Sequence, residues 1–287
     1  MRIYGGIRLK LKEVVPMNRQ KLQQVLEELS GLKYDFVVDA HCHIESDLFT
    51  QEERERILDI AIKKYRVRMF TTPITMQERV LALKLSEKYS SSLFIVTGSH
   101  PLSEEPLDDV IEFIRKHKKI IVGIGEVGLD FTPPNNTSEI KERQIRKFET
   151  FIQLAKEMNK PLVVHSRSAG KYALDILIKN GAEKVLMHAF SGKAKYAKKG
   201  IEAGFYFSIP PNAAFSPQKR SLINVLPIEN ILLETDSPYM RLFNNVITYP
   251  WHVLISATII AVAKEMEVEE VIRVTTQNAQ RLFSVYF

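Results

Sequence analysis

Eight short apolar runs recur along this chain, each followed by a longer stretch with helical spacing, and that alternation restricts the fold more than any other feature. The runs are FVVDAH (36–41), VRMFTT (67–72), LFIVTG (93–98), IIVGIG (120–125), PLVVHS (161–166), KVLMHA (184–189), GFYFSI (204–209) and NILLET (230–235). Between the fourth and fifth lies ERQIRKFETFIQLAKEM, in which Ile145, Phe148, Ile152 and Ala155 return at three- and four-residue intervals, the spacing of one helix face. Near-continuous Val, Ile and Leu mark strands buried on both faces, and helices between them require parallel pairing. Eight such units predict a closed (β/α)8 barrel, an α/β fold, in preference to an open doubly wound sheet.

A length of 287 residues fits one barrel of about 250 residues with an extension. The segment MNRQKLQQVLEELSG reads as a separate helix: Asn18 caps it, Leu22, Val25, Leu26 and Leu29 form one stripe, and Gly31 ends it. The expected organisation is therefore residues 1–35 as a helical N-terminal extension, simplest as a cover for the barrel floor, and residues 36–287 as the barrel. MRIYGGIRLKLKEVV lacks an apolar core followed by a small-residue cleavage site. No apolar run reaches the roughly 18 residues of a membrane span. A cytoplasmic protein without a membrane partner is the expectation. The single cysteine, Cys42, excludes a disulfide framework and a cysteine-based zinc cluster, so any metal here must use His, Asp and Glu. The net charge of +6 favours contact with phosphates without deciding it.

Barrels of this kind carry their active face at the C-terminal ends of the strands, so polar residues there receive a separate test. In VVDAHCHIE (37–45) the two-residue period turns His41 and His43 to one face, with Asp39, and Cys42 to the other. Strand four runs into Glu126, strand five into His165, strand six into His188 and strand eight into Asp236. Each alone admits a structural role: a hydrogen bond to a neighbouring strand end for His165, an arginine partner for Glu126, a cap on the turn TDSP for Asp236. Taken together, six such residues at the ends of apolar strands, including four of the seven histidines, point to convergence on cations.

The words DAHCHIE, TGSHP, GIGEVGLD, PLVVHSR, MHAFSG and ILLETDSPY occur in this order, and QNAQRLF follows near the C-terminus. In these words, over roughly residues 36–287, the chain resembles the TatD-like metal-dependent hydrolases, a nuclease-rich branch of the amidohydrolase superfamily. The resemblance implies a distorted (β/α)8 hydrolase with up to two divalent metal ions. His41 and His43 would hold one with Asp236, His165 and His188 the other, and Glu126 would bridge them. Asp236 would also take the proton from the attacking water.

Two cations about 4 Å apart suit phosphodiester hydrolysis by a metal-activated water. The mixed imidazole and carboxylate set admits Mg, Mn, Zn, Co or Ni. His100 in TGSHP matches a family position on the active face, as a phosphate contact or a proton shuttle; the alternative is a histidine satisfied within its turn. Arg167 and the lysines Lys193 and Lys195 stand where they could meet phosphate, or be solvated surface. The resulting expectation is a deoxyribonuclease on single-stranded DNA, a 3′–5′ exonuclease.

Two features depart from the family pattern: Phe131 stands where Tyr is frequent, followed by TPPNN, and the segment after strand eight lacks Arg-Asn-x-Pro. Both fall in loops that choose substrates. Two alternatives therefore stand beside the nuclease: hydrolysis of a small ester, lactone or amide, and a non-catalytic nucleic-acid-binding protein with a vestigial metal site.

Overall fold

Strands that are apolar on both faces need a cover on each side, and a parallel sheet closed on itself supplies both from one chain. The computed structural model describes residues 18–243 and 246–286. Its strands are β1 (Val37–Cys42), β2 (Val67–Thr71), β3 (Leu93–Val96), β4 (Ile121–Gly128), β5 (Leu162–His165), β6 (Val185–Met187), β7 (Tyr206–Ile209) and β8 (Ile231–Leu233). They pair in parallel and in chain order from β1 to β8.

The helices are α1 (Arg19–Ser30), α2 (Gln51–Asp59), α3 (Met76–Lys88), α4 (Leu107–Lys116), α5 (Ser138–Met158), α6 (Gly170–Lys179), α7 (Ala194–Glu202), α8 (Pro217–Val225), α9 (Val253–Lys264) and α10 (Val268–Phe283). The expected (β/α)8 barrel is the fold observed. GIGEVG (123–128) has the glycine spacing of a dinucleotide turn, but it lies inside β4 rather than at a strand-to-helix turn, and so cannot cradle a pyrophosphate.

Alternation along the strands divides the apolar residues into two layers. Val38, Ala40, Phe70, Val96, Val163, Leu186 and Leu232 fill the barrel interior; their neighbours, such as Val37, Met69, Ile95, Val164 and Leu233, join the larger cluster beneath the helices. The floor is closed by the end of α10, where Ala279, Leu282 and Phe283 enter the inner cluster and the Phe283 ring stacks on Phe70 at 4.0 Å.

The floor therefore does not belong to the N-terminal helix. Asn18 caps α1 through a hydrogen bond from the Lys21 backbone N–H at 2.8 Å, and Gly31 ends it. Its Leu22, Val25, Leu26 and Leu29 are buried in the outer cluster. Burial worth about 2 kcal/mol per side chain holds a helix too short to persist alone in water. Residues 1–17, on which the leader reading rests, lie outside the described residues. No helix among the described residues is long and apolar enough to cross a membrane.

The barrel is distorted where it closes. No ladder joins β8 to β1 among the described residues; Asp39 accepts from the Thr235 backbone N–H at 2.8 Å and from its hydroxyl. Above it, Asp236 N–H donates to the His41 carbonyl at 2.9 Å and His43 N–H to the Ser237 carbonyl at 2.7 Å. Asp39 thus does not share the face of His41 and His43. The register shift between Asp39 and Cys42 breaks the two-residue alternation on which that expectation rested.

Candidate active site

Four strands, β1, β4, β5 and β6, and the turn after β8 bring the six expected residues together. His41 Nε2 and His43 Nε2 are 3.2 Å apart. Glu126 faces both halves of the cluster: its Oε2 lies 3.6 Å from His41 Nε2 and 3.9 Å from His43 Nε2, while its Oε1 lies 3.7 Å from His188 Nε2 and in hydrogen-bond contact with His165 Nδ1. Asp236 Oδ1 lies 3.3 Å from His43 Nε2 and 3.7 Å from His41 Nε2. The His41 and His188 rings stack at 3.7 Å. All six side chains are buried.

Local backbone features explain the convergence. Glu126 does not follow β4, as the sequence pattern implied, but lies within it, because β4 runs three residues further to Gly128. Glycines on either side let β4 approach β5: a Cβ at Gly125 would sit 2.6 Å from the Val163 carbonyl oxygen, and Gly128 has φ +133° with the His165 carbonyl 2.2 Å from where its Cβ would be. Asp236 lies three residues beyond Leu233, the last residue of β8. Asp236 and Ala189, which follows His188, have φ of +53° and +38°. Left-handed non-glycine residues persist only where their surroundings hold them. Ala189 is held at both ends, its N–H by Glu234 at 3.0 Å and its carbonyl by Lys219 Nζ at 2.5 Å.

The second nitrogen of three imidazoles is held by an acceptor, which turns the first one inward, where it offers a lone pair once its proton is displaced. His43 Nδ1 donates to the Thr72 carbonyl at 2.7 Å, His188 Nδ1 to Glu234 at 2.6 Å, and His165 Nε2 to Asp130 at 3.3 Å; the tautomers follow from these partners. Acceptors behind each ring are the arrangement that orients metal-ligating histidines. Asp130 and Glu234 were not singled out in the sequence. The available signal was a carboxylate ending GIGEVGLD, two residues beyond β4, and another in ILLETDSPY, directly after the last residue of β8.

His100 differs from these four. Its Nδ1 accepts from the Leu102 N–H at 3.2 Å, so the neutral ring carries its proton on Nε2, which lies 3.9 Å from Glu126 Oε1. Burial keeps this ring neutral, with a pKa lowered to about 4. Burial opposes charge on Glu126 too, but the neighbouring His165 and His100 hold it well below the usual carboxylate range. Burial likewise opposes charge on His43 and His165, yet Asp236 raises the former, and Glu126 with Asp130 the latter, to about 9.

Arg167 and Lys193 stand outside the cluster. Both are exposed, and neither side chain makes a hydrogen bond or ion pair among the described residues. Cys42 is buried in the outer cluster, His117 ends α4 against the Phe113 ring, and His252 is buried beside the Tyr249 N–H.

Three groupings of these side chains bring ligand atoms within 4.8 Å of one another: His41, His43 and Asp236; His41, Glu126 and His188; His100, Glu126 and His165. Imidazoles with inward-facing nitrogens and hard carboxylate oxygens form a donor set that fits divalent cations. The sequence profile of the TatD related DNase family matches residues 38–284.

The chain belongs to the TatD-related DNase family.

Among its relatives, deoxyribonuclease TATDN3 of Homo sapiens is 41% identical over 259 residues, covering 86% of this chain and 94% of that protein. An uncharacterised metal-dependent hydrolase of Methanocaldococcus jannaschii is 34% identical over 250 residues, covering 86% of this chain and 96% of that protein. A crystal structure of a TatD homologue from Escherichia coli K12 superimposes with a TM-score of 0.78 at 23% identity, covering 87% of this chain and 98% of that one. The last likeness concerns the fold. With these relatives, this TatD-family chain is a metal-dependent hydrolase.

Proposed function

We propose that this chain is a divalent-metal-dependent deoxyribonuclease that removes nucleotides from the 3′ ends of single-stranded DNA in the cytoplasm, with residues 36–287 as the catalytic barrel and 1–35 as an extension. The observation that carries the reading is the convergence of four imidazoles and two carboxylates, three of the rings backed by acceptors. His41, His43 and Asp236 would hold one of two ions, His165 and His188 the other, with Glu126 between them; Mg, Mn and Zn suit the set. Bound there, the ions would polarise the phosphodiester and acidify the attacking water.

The chain's own residues supply the rest. Asp236 accepts the water's proton, as a buried carboxylate kept ionised by its histidine neighbours can. His100 donates a hydrogen bond from Nε2 to a phosphate oxygen. Arg167, after β5, and Lys193, after the adjacent β6, meet the backbone with exposed cationic groups.

The test is cleavage of end-labelled single-stranded DNA by chelator-stripped protein, with and without added Mg²⁺, Mn²⁺ or Zn²⁺, alongside Glu126→Ala and Asp236→Ala. Metal-restored cleavage lost in both variants supports the nuclease. Inactivity of the metal-loaded wild type on DNA, with turnover of an ester, lactone or amide, would replace it by the acyl hydrolase. DNA binding indifferent to chelation, without any turnover, would replace it by the binding protein.

A further inference from the structure

Two tyrosines stand exposed at the rim of the barrel mouth. Tyr239, in the turn after β8, is 44% exposed; its ring meets His43 edge-on at 5.0 Å, and its hydroxyl is held by Ser46 Oγ at 3.1 Å. Tyr172, in the first turn of α6, is 58% exposed and meets the Phe131 ring edge-on at 5.5 Å. Phe131 follows Asp130, the residue that orients His165, and its N–H donates to the Arg167 carbonyl at 3.0 Å.

With eight strands paired in chain order, the β8/β1 seam lies across the barrel from the β4/β5 pair. Tyr239 rises from the first and Tyr172 beside the second, so the metal-ligand cluster lies between them. Edge-on anchoring fixes each ring while leaving its accessible surface unused. Positive charge accompanies one of them: Lys141 Nζ sits 5.2 Å from the Phe131 ring, and the exposed Arg167 guanidinium has no partner among the described residues.

Aromatic faces beside cationic side chains are what binds single-stranded nucleic acid, whose bases are free to stack and whose phosphates carry charge. A base-paired duplex keeps its bases stacked on one another and cannot use such platforms. Resting on the nuclease reading above, we infer that Tyr239 and Tyr172 stack the bases on the two sides of the scissile phosphate, with Arg167 and Lys141 on the backbone at the β5 side. Stacking is tolerant of base identity, so this clamp selects strandedness and not sequence.

The test is fluorescence anisotropy of a labelled 12-nucleotide single strand with chelator-stripped full-length protein, which separates binding from cleavage. Tyr172→Ala and Tyr239→Ala each weaken binding roughly tenfold, and Tyr172→Trp and Tyr239→Trp restore it. The wild type also binds duplex of the same sequence, and a strand with abasic sites in its central positions, roughly tenfold less tightly. Alanine variants that bind like the wild type, or abasic and duplex DNA bound as tightly as the intact strand, overturn the clamp even if metal-dependent cleavage is intact. No binding and no cleavage of any DNA by the wild type overturns the nuclease reading itself, and the clamp with it.

Discussion

Nδ1 of His188 lies 2.6 Å from Glu234 Oε2, and Nε2 of the same ring lies 3.7 Å from Glu126 Oε1: one carboxylate orients the ring that the other faces. Glu234 also holds the Ser208 hydroxyl at 2.7 Å and the Ala189 N–H. Removing it in Glu234→Ala frees the imidazole to rotate and to change tautomer. Affinity for a divalent cation should fall about 10- to 100-fold, read by competition with a chromophoric chelator. An unchanged affinity would show that His188 needs no orienting partner.

Lys219 is buried on α8, with its ammonium on the carbonyls of Ala189 and Phe190 at 2.5 and 2.9 Å. Burial pushes its pKa down to about 8, so at neutral pH it is still the charged donor. Lys219→Met leaves two carbonyls without their partner beside a left-handed residue, and should cost about 3 kcal/mol in urea unfolding of the stripped protein. A loss below about 0.5 kcal/mol, within the range of an ordinary surface change, would mean that the turn after β6 holds itself.

His100 carries its proton on Nε2 and is read as a donor to substrate, not as a ligand. His100→Ala should therefore leave metal stoichiometry unchanged while lowering kcat by about 10² or more. Metal content by elemental analysis decides between the two roles. Loss of a bound ion in the variant would make His100 a ligand, as the grouping with Glu126 and His165 permits.

The metal-free protein should lose stability as pH rises. His43 and His165 have folded-state pKa values of about 9, above the roughly 6.5 of an unfolded histidine. The folded state therefore binds these protons more tightly, and the stabilisation is fully present below about pH 6.5 and lost as pH climbs through about 9. Cations compete for the same nitrogens, so metal affinity should rise over that interval with release of protons. Thermal melts of stripped and metal-loaded protein across pH 6 to 9.5 test both slopes. A melting temperature of the stripped protein that is flat over that range would refute the assignment.

The alternation of eight apolar runs with helical stretches determined the barrel, because burial on both faces leaves a recognisable period and composition in the chain itself. The six clustered residues were legible for a related reason: His, Glu and Asp at the ends of apolar strands are costly unless they have partners, and a parallel barrel collects all its strand ends on one face. What the tertiary structure alone decided depends on distances across the chain. Asp39 left the histidine face because the barrel closes through its carboxylate and Thr235, some 196 residues apart in sequence, and a local period carries no information about that seam. The floor went to Phe283 and not to α1, since two amphipathic helices of similar pattern are told apart only by where the chain ends meet the barrel. The roles of Asp130, Glu234 and Lys219 emerged only once β4, β5, β6 and α8 had been brought together, because orienting an imidazole is a matter of tenths of an ångström between segments and not of any spacing along one of them.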